Sequence, residues 1–172
     1  MSVWRHFSRL WRSNAKQHLT PSPPRVSRSD EPIKVFLAYA DEDRAQAERL
    51  FIAFREAGLD PWMDKEKLLP GENWPRTIER AIESSDFFCA CFSRRSVHKR
   101  GFIQSEIRYA LDIATYVPLG DIFLVPVRLE ECVVPPVISR RVQFLDLFPD
   151  WEGAVKALIS MMKGQIERRR LR

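Results

Sequence analysis

The sequence predicts an α/β fold, a five-stranded parallel sheet with helices on both faces. Short apolar runs alternate with segments in which apolar residues recur every three or four positions, the pattern of strands alternating with amphipathic helices. Five such units follow one another within about 135 residues. This length and order fit the flavodoxin-like arrangement, in which the strands lie in the order 2-1-3-4-5.

The first two strands and the helix between them occupy residues 33–64. Ile33–Ala40 is mostly apolar and suits a strand that is buried on both faces. The acidic residues at 41–43 suit a helix N-terminus, and Gly58 suits the end of that helix. Leu59–Asp64 then predicts a short strand, in which Pro61 indicates the strand start or a sheet edge.

The middle of the domain contains two helices and the third strand. Pro75 is well placed in the first turn of a helix that runs to about Ser84. Phe87–Phe92 is a continuous apolar run and predicts the third strand. Phe102–Ala114 has apolar residues at helical spacing and predicts the next helix.

The last two strands and the final helix follow. Ile122–Leu129 predicts the fourth strand, with a bulge or an unpaired position at Pro126. Val142–Phe144 predicts a short fifth strand. The final amphipathic helix begins near Trp151 and continues to residue 166.

The ends of the chain differ in composition from this domain, which we place at residues 33–166. Residues 1–32 form a basic, Pro- and Ser-rich tail and linker. Within residues 1–20, four apolar side chains lie at helical spacing among arginines: Trp4, Phe7, Leu10 and Trp11. Two interpretations stay open, a disordered tail and a short amphipathic helix with weak contact to a membrane surface. Residues 167–172 are predicted to be a basic C-terminal tail.

Positive charge is concentrated at these two ends. Residues 1–32 carry six Lys or Arg and two Asp or Glu, and residues 163–172 carry five and one, whereas the net charge of the whole chain is only +5. The body is therefore mildly acidic. This argues against a nucleic-acid-binding domain, which gathers Lys and Arg on one face. No apolar run approaches the roughly 18 to 20 residues that span a bilayer.

Cysteine and histidine do not form a metal-binding pattern. Cys89 and Cys91 alternate in one strand and so face the same side of it, Cys132 lies apart, and the three histidines are scattered. We expect no metal site and no disulfide framework, which fits a reducing, cytoplasmic compartment.

The residues alone indicate one candidate site, on the helix predicted at 102–114. Phe102, Glu106 and Tyr109 share one stripe of this helix, beside its apolar face. In a doubly wound sheet, ligands bind at the carboxyl ends of the strands where the strand order reverses. Glu106 is thus a candidate catalytic carboxylate, and the alternative is a solvated flank of the helix. Glycine-rich phosphate loops and nucleophile motifs are absent from the sequence.

Several motifs, in order, resemble those of bacterial TIR (Toll/interleukin-1 receptor) domains. They are VFLAYADEDR near the first strand, DKEKLLPGENW after the second, and RGFIQSEI at the start of the helix that carries Glu106. The resemblance covers about residues 33–162 and implies the same flavodoxin-like fold. The family usually has Trp four residues before its glutamate, and here Phe102 keeps an aromatic ring at that position.

The resemblance implies cleavage of the nicotinamide–ribose bond of NAD⁺, with Glu106 as the catalytic residue. NAD⁺ is then a substrate, and no cofactor or metal is implied. The expected substrate-binding residues are Tyr39, Ala40, Asp64, Trp74, Phe92, Ser93 and Phe102. Structural alternatives stay open for three of them. Asp64 could cap or position the following loop, Trp74 could be a hydrophobic staple, and Ser93 could be a turn residue.

The resemblance also implies partners. The Lys65–Trp74 loop is expected to contact other TIR domains or a second copy of this chain, giving oligomers or filaments. The alternative function is therefore a non-enzymatic signalling module that acts through TIR–TIR interaction alone.

Overall fold

A parallel β-sheet forms the centre of the computed structural model, which describes residues 31–63, 74–98 and 102–171. Among these residues five strands pair side by side in the order β2-β1-β3-β4-β5. They are β1 (Lys34–Ala38), β2 (Asp60–Trp62), β3 (Phe87–Phe92), β4 (Leu124–Arg128) and β5 (Leu145–Asp146). All four pairings are parallel. The predicted fold class and strand order are confirmed.

Helices connect the strands. They are α1 (Arg44–Glu56), α2 (Trp74–Glu83), α3 (Arg94–His98), α4 (Phe102–Ala114), α5 (Pro136–Ser139) and α6 (Trp151–Arg170). A 3-10 turn at Asp41–Asp43 precedes α1. Gly58 follows the end of α1 as predicted, with a φ of 81° that suits glycine. The short helices α3 and α5 were not predicted, because four or five residues are too few to show a helical period.

Each face of the sheet packs against its own helices because side chains alternate along every strand. Val35 and Leu37 of β1, with Cys89 and Cys91 of β3, contribute to the core on the face that α1 and α6 cover. Phe36 and Ala38 belong to the other core, with apolar residues of α2, α4 and α5. The helix that carries Glu106 therefore shares a face with α2.

An aromatic row crosses the sheet beneath α2 and α4. Phe36 stacks on Trp62 of β2 and on Phe88 of β3, with ring centroids 4.7 and 5.2 Å apart. The register explains the row, because Phe36 is paired directly with both residues. Aromatic neighbours of this kind stabilise a sheet by about 0.5–1.5 kcal/mol each beyond their burial.

The prediction of the fifth strand at Val142–Phe144 was wrong by three residues. The backbone N–H of Val142 donates to the Ile138 carbonyl at 2.9 Å, which closes a turn after α5 instead of joining the sheet. Pairing with β4 begins only at Leu145. Pro126 causes no bulge, because its pairing with β3 continues the register of its neighbours.

The prediction of a C-terminal tail at 167–172 was also wrong, because α6 continues to Arg170. Arg169 is buried, and its Nη2 donates to the Ile122 carbonyl at 2.6 Å. Its Nε lies 3.3 Å from a carboxylate oxygen of Asp121. The folded domain therefore extends past residue 166. The tail and linker were predicted at residues 1–32, of which residues 1–30 lie outside the described residues.

Candidate active site

The candidate site lies at the carboxyl ends of β1 and β3. These strands are neighbours at the centre of the sheet, and the chain winds outward from them in opposite directions. Connections leave neighbouring strands here toward opposite faces, which opens a crevice at this edge. The segment after β1 and the α3–α4 segment after β3 both begin at this edge.

Glu106 lies in the second turn of α4, close to where that helix leaves the carboxyl edge. Its exposed fraction is 3%, so the alternative of a solvated flank is wrong. Ile107, Ala110 and Ile113 anchor α4 on the sheet and fix the direction of the helix. Electrostatic interactions are stronger away from water, so a buried carboxylate at this edge can act strongly on a bound cation.

Tyr109, the third member of the predicted stripe, has a structural role. Its hydroxyl donates to Oε1 of Glu83 in α2 at 2.5 Å. The pKa of Tyr109 is raised, mainly by burial and next by this hydrogen bond, so the phenol stays protonated. The residue therefore joins α4 to α2 beside Glu106.

A buried hydrogen bond joins the ends of β1 and β3. The Ser93 hydroxyl, directly after β3, donates to Oδ2 of Asp43 at 2.7 Å. Exposed fractions of 1% for Ser93 and 3% for Asp43 place this bond in the interior. Asp43 is the N-cap residue of α1, as the predicted helix start at residues 41–43 requires, but its side chain makes no capping hydrogen bond.

The same serine starts the helix that leads toward Glu106. The backbone N–H of Ser96 donates to the Ser93 hydroxyl at 3.1 Å, and the backbone N–H of Ser93 donates to the Ser96 hydroxyl at 2.7 Å. This reciprocal pair has the geometry of a capping box. Ser93 thus fixes both the turn that precedes α1 and the start of α3.

The surroundings of Asp43 raise the pKa of its carboxyl above the ordinary value. Burial raises the pKa of the Asp43 carboxyl, the Ser93 hydrogen bond lowers it, and nearby Glu130 and Glu42 raise it further. The site therefore contains a titratable carboxyl that Ser93, directly after β3, holds in place.

Other chemistries find less support in this part of the molecule. Within the described ranges, no group of three or more His, Cys, Asp or Glu could hold a metal ion. The Cys91 thiol is buried, and the pKa of Cys91 is raised by its hydrogen bond with Cys89 and by burial, so it stays protonated near neutral pH. The described helices also include none that is long and apolar enough to cross a bilayer.

The structure describes the side chains of four of the predicted substrate-binding residues, and not those of the other three. Tyr39 and Ala40 directly follow β1, Phe92 and Ser93 lie at the end of β3, and all four are buried. Contact of these four residues with a substrate stays a prediction. The others lie outside the described residues, either as whole residues or by their side chains: Asp64, Trp74 and Phe102. The rest of the Lys65–Trp74 loop lies outside them as well.

Two residues of this edge, Asp43 and Ser96, were not among the predicted site residues. The Asp43–Ser93 pair spans 50 positions, so only the predicted adjacency of the first and third strands could have suggested it. Ser96 had a local signal, because serines three residues apart after a strand suit the start of a helix.

Comparison with known proteins identifies the family. The family model described as "TIR domain" matches residues 35–159, most of the chain. None of the curated protein sequences matches significantly.

Solved structures show the same fold at low sequence identity. The TIR domain of the Toll-related receptor TRR-2 from Hydra magnipapillata matches with a TM-score of 0.61 and 20% identity, over 75% of this chain and 97% of that one. The TIR domains of the activated Roq1 resistosome, which recognises the effector XopQ, match with a TM-score of 0.57 and 20% identity, over 78% and 99%. A TIR-STING receptor from C. gigas, in complex with 2′,3′-cGAMP, matches with a TM-score of 0.58 and 21% identity, over 82% of this chain and 42% of that one. With the strand order, the two-sided core and the family model in agreement, this chain belongs to the TIR domain family.

Proposed function

We propose that this protein cleaves the nicotinamide–ribose bond of NAD⁺ in the cytoplasm, in signalling or defence, with Glu106 as its catalytic carboxylate. The observation that carries the proposal is the burial of Glu106 on α4, at the carboxyl edge of a TIR-domain sheet. A glutamate held there by a firmly packed helix is preorganised for a charge that develops in the transition state.

A single carboxylate suffices for this reaction. Nicotinamide is bound to the ribose as a cationic pyridinium, and it leaves as a neutral molecule that needs no general acid. As the bond breaks, positive charge develops on the ribose in an oxocarbenium-like transition state. Glu106 would stabilise this charge and orient the ribose hydroxyls. Water then supplies the oxygen at the anomeric carbon, and ADP-ribose, nicotinamide and a proton result; attack by the adenine instead gives a cyclic isomer.

The neighbouring residues support substrate binding in two ways. Tyr39, Ala40, Asp64, Trp74 and Phe102 are proposed to line the crevice, since each lies on a segment that leaves its carboxyl edge. Ser93 is already engaged with Asp43 and Ser96, so we propose that it and Phe92 shape the crevice from beneath. Phe102 would provide an aromatic wall one helical turn from Glu106.

Incubation of the purified chain with NAD⁺, followed by chromatography for nicotinamide, tests the proposal. Many turnovers per protein molecule are expected, and the second product distinguishes hydrolysis from cyclisation. Absence of nicotinamide at every protein concentration, including those at which the chain assembles, would contradict it. That result would favour the alternative, a TIR module that signals by interaction alone.

We also propose that activity depends on assembly with other copies through the Lys65–Trp74 loop. Head-to-tail contacts of one loop with a different surface build open filaments. The rate per molecule should then rise with protein concentration, and Leu69→Asp should flatten this rise. A constant rate per molecule from a chain that light scattering shows to be monomeric would contradict assembly without affecting the role of Glu106.

A further inference from the structure

An apolar groove runs along the open edge of the sheet and shares no residue with the candidate active site. Its volume is about 660 Å³, within the range of about 300–1,000 Å³ that is usual for ligand pockets. The end of α4, the first half of β4, the segment before β5 and one side of α6 form its walls. Among the residues that line it are Val117, Ile122, Val142, Phe144, Ala157 and Met161.

The groove exists because β5 is too short to cover β4. Pairing between them begins at Val127, so the first half of β4 has no strand partner on this side among the described residues. Backbone groups of Phe123 and Leu129 bond to β3, which turns those of Leu124 and Pro126 toward the groove. Pro126 has no N–H to donate, which disfavours a further strand at this edge. An occupant that enters by its side chains therefore suits the groove better than an added strand.

We propose that residues 4–11 of this chain dock in the groove as an amphipathic helix. The first support is the position from which the N-terminal segment departs. The carbonyl of Glu31, the first described residue, accepts a hydrogen bond from Arg170 at 3.4 Å. The adjacent Arg169 donates to the carbonyl of Ile122, which lines the groove. Glu31, from which the preceding segment extends, thus lies beside one end of the groove.

The length of the tether fits the distance to be spanned. Along α6, Met161 lies nine residues before Arg170, which is about 14 Å at the rise of an α-helix. If residues 12–30 behave as a flexible coil, their root-mean-square span is about 25 Å, which is enough to reach this distance. A short flexible linker that can reach its site gives an effective concentration in the millimolar range, so a weak intrinsic affinity is sufficient.

The segment also has the side chains that the groove requires. Trp4, Phe7 and Leu10 lie on one helical face with Trp11 beside them, while the arginines between them can stay in water. A buried aromatic side chain removes about 150–250 Å² from water, which makes such residues effective anchors. An intrinsic dissociation constant of about 0.1 mM would give a docked fraction of at least about 90%.

Hydrogen exchange of the full chain, read by mass spectrometry without lipid, tests this docking. Amides of residues 4–11 should exchange about tenfold more slowly than an unstructured segment does. Ala157→Glu places a charge at an exposed groove position of α6 and should abolish the protection. Ser160→Glu makes the same change of charge on exposed α6 surface outside the groove lining and should leave it intact.

A second variant changes the proposed occupant instead of the groove. Trp4→Ser with Phe7→Ser leaves the domain untouched and should speed exchange across residues 141–145. Unprotected residues 4–11 in the wild type, or protection that survives Ala157→Glu, would overturn the proposal. Protection that appears only with anionic vesicles would overturn it in favour of a membrane contact, and protection that rises with protein concentration would overturn it in favour of a second copy.

Discussion

Replacing Ser93 by Ala removes the hydroxyl that joins the ends of β1 and β3. This hydroxyl donates to the Asp43 carboxylate at 2.7 Å and accepts the backbone N–H of Ser96 at 3.1 Å. All three residues are buried, so water cannot replace the lost partner. In the variant, the buried Asp43 carboxyl and the backbone N–H of Ser96 therefore each lose one hydrogen-bond partner.

The expected loss follows from these two contacts. A hydrogen bond to a charged group contributes about 1.5–3 kcal/mol, and an N-cap contributes about 1 kcal/mol. Because one hydroxyl serves both, we expect Ser93→Ala to lower the free energy of unfolding by about 2–4 kcal/mol. Ser85→Ala is the matched control, since the buried Ser85 hydroxyl donates only to the neutral Ala81 carbonyl. Its expected loss is about 1 kcal/mol.

The loss should also depend on pH. The native pKa of Asp43 is raised above 3.8, chiefly by burial, so the folded state binds more protons than the unfolded state between the two values. This contribution to stability is present at acid pH and is lost as the pH rises through the native pKa. Ser93 lowers that pKa, so Ser93→Ala raises it further. The penalty of the variant is therefore greatest at neutral pH and smaller near pH 4.

Urea unfolding followed by circular dichroism, at pH 7 and near pH 4, measures these differences. A Ser93→Ala loss no greater than that of Ser85→Ala at pH 7 would contradict the assigned role of this hydroxyl. A difference between the two variants that stays the same at the lower pH would contradict the raised pKa of Asp43.

Three further changes test other parts of the account. Arg169→Leu leaves the Asp121 carboxylate buried without this cation, and should cost about 3–5 kcal/mol in urea unfolding; no loss would restore the interpretation of a C-terminal tail. Arg128→Lys removes the guanidinium, which makes two hydrogen bonds to Asp146, and should lower the free energy of unfolding by about 1–3 kcal/mol. An unchanged melting temperature would show that this pair of hydrogen bonds does not contribute to stability. Phe102→Ala should lower kcat/KM for NAD⁺ about tenfold while Phe102→Trp keeps it; equal values for both would exclude an aromatic wall.

The sequence predicts most of the sheet because its strands differ sharply from their surroundings. Phe87–Phe92 is apolar throughout and bounded by polar residues, and its predicted limits are those of β3. The fifth strand was misplaced because Val142 is apolar, as in a strand, but its backbone N–H donates to the Ile138 carbonyl and not to a neighbouring strand. The C-terminal boundary was misplaced because a run of arginines predicts a solvated tail, whereas Arg169 finds carbonyl and carboxylate partners in distant segments.

The candidate site is predicted only where its signal is local. Glu106 stands beside a clear apolar stripe, so both its helix and its edge of the sheet follow from the pattern. Its burial does not follow, because a residue at the margin of a stripe is buried or solvated according to what packs across it. The Asp43–Ser93 bond has no local signal, since it depends on two strands meeting 50 residues apart.

Nicotinamide release by Glu106→Gln, measured beside the wild type and Asp112→Asn, shows whether Glu106 is the catalytic carboxylate. Gln keeps the size of the buried side chain and removes its charge, while Asp112 is an exposed carboxylate on the same helix. We expect Glu106→Gln to lower kcat by about 10² to 10³ with an unchanged circular dichroism spectrum, and Asp112→Asn to stay near the wild type. Wild-type turnover by a folded Glu106→Gln protein would contradict the assignment.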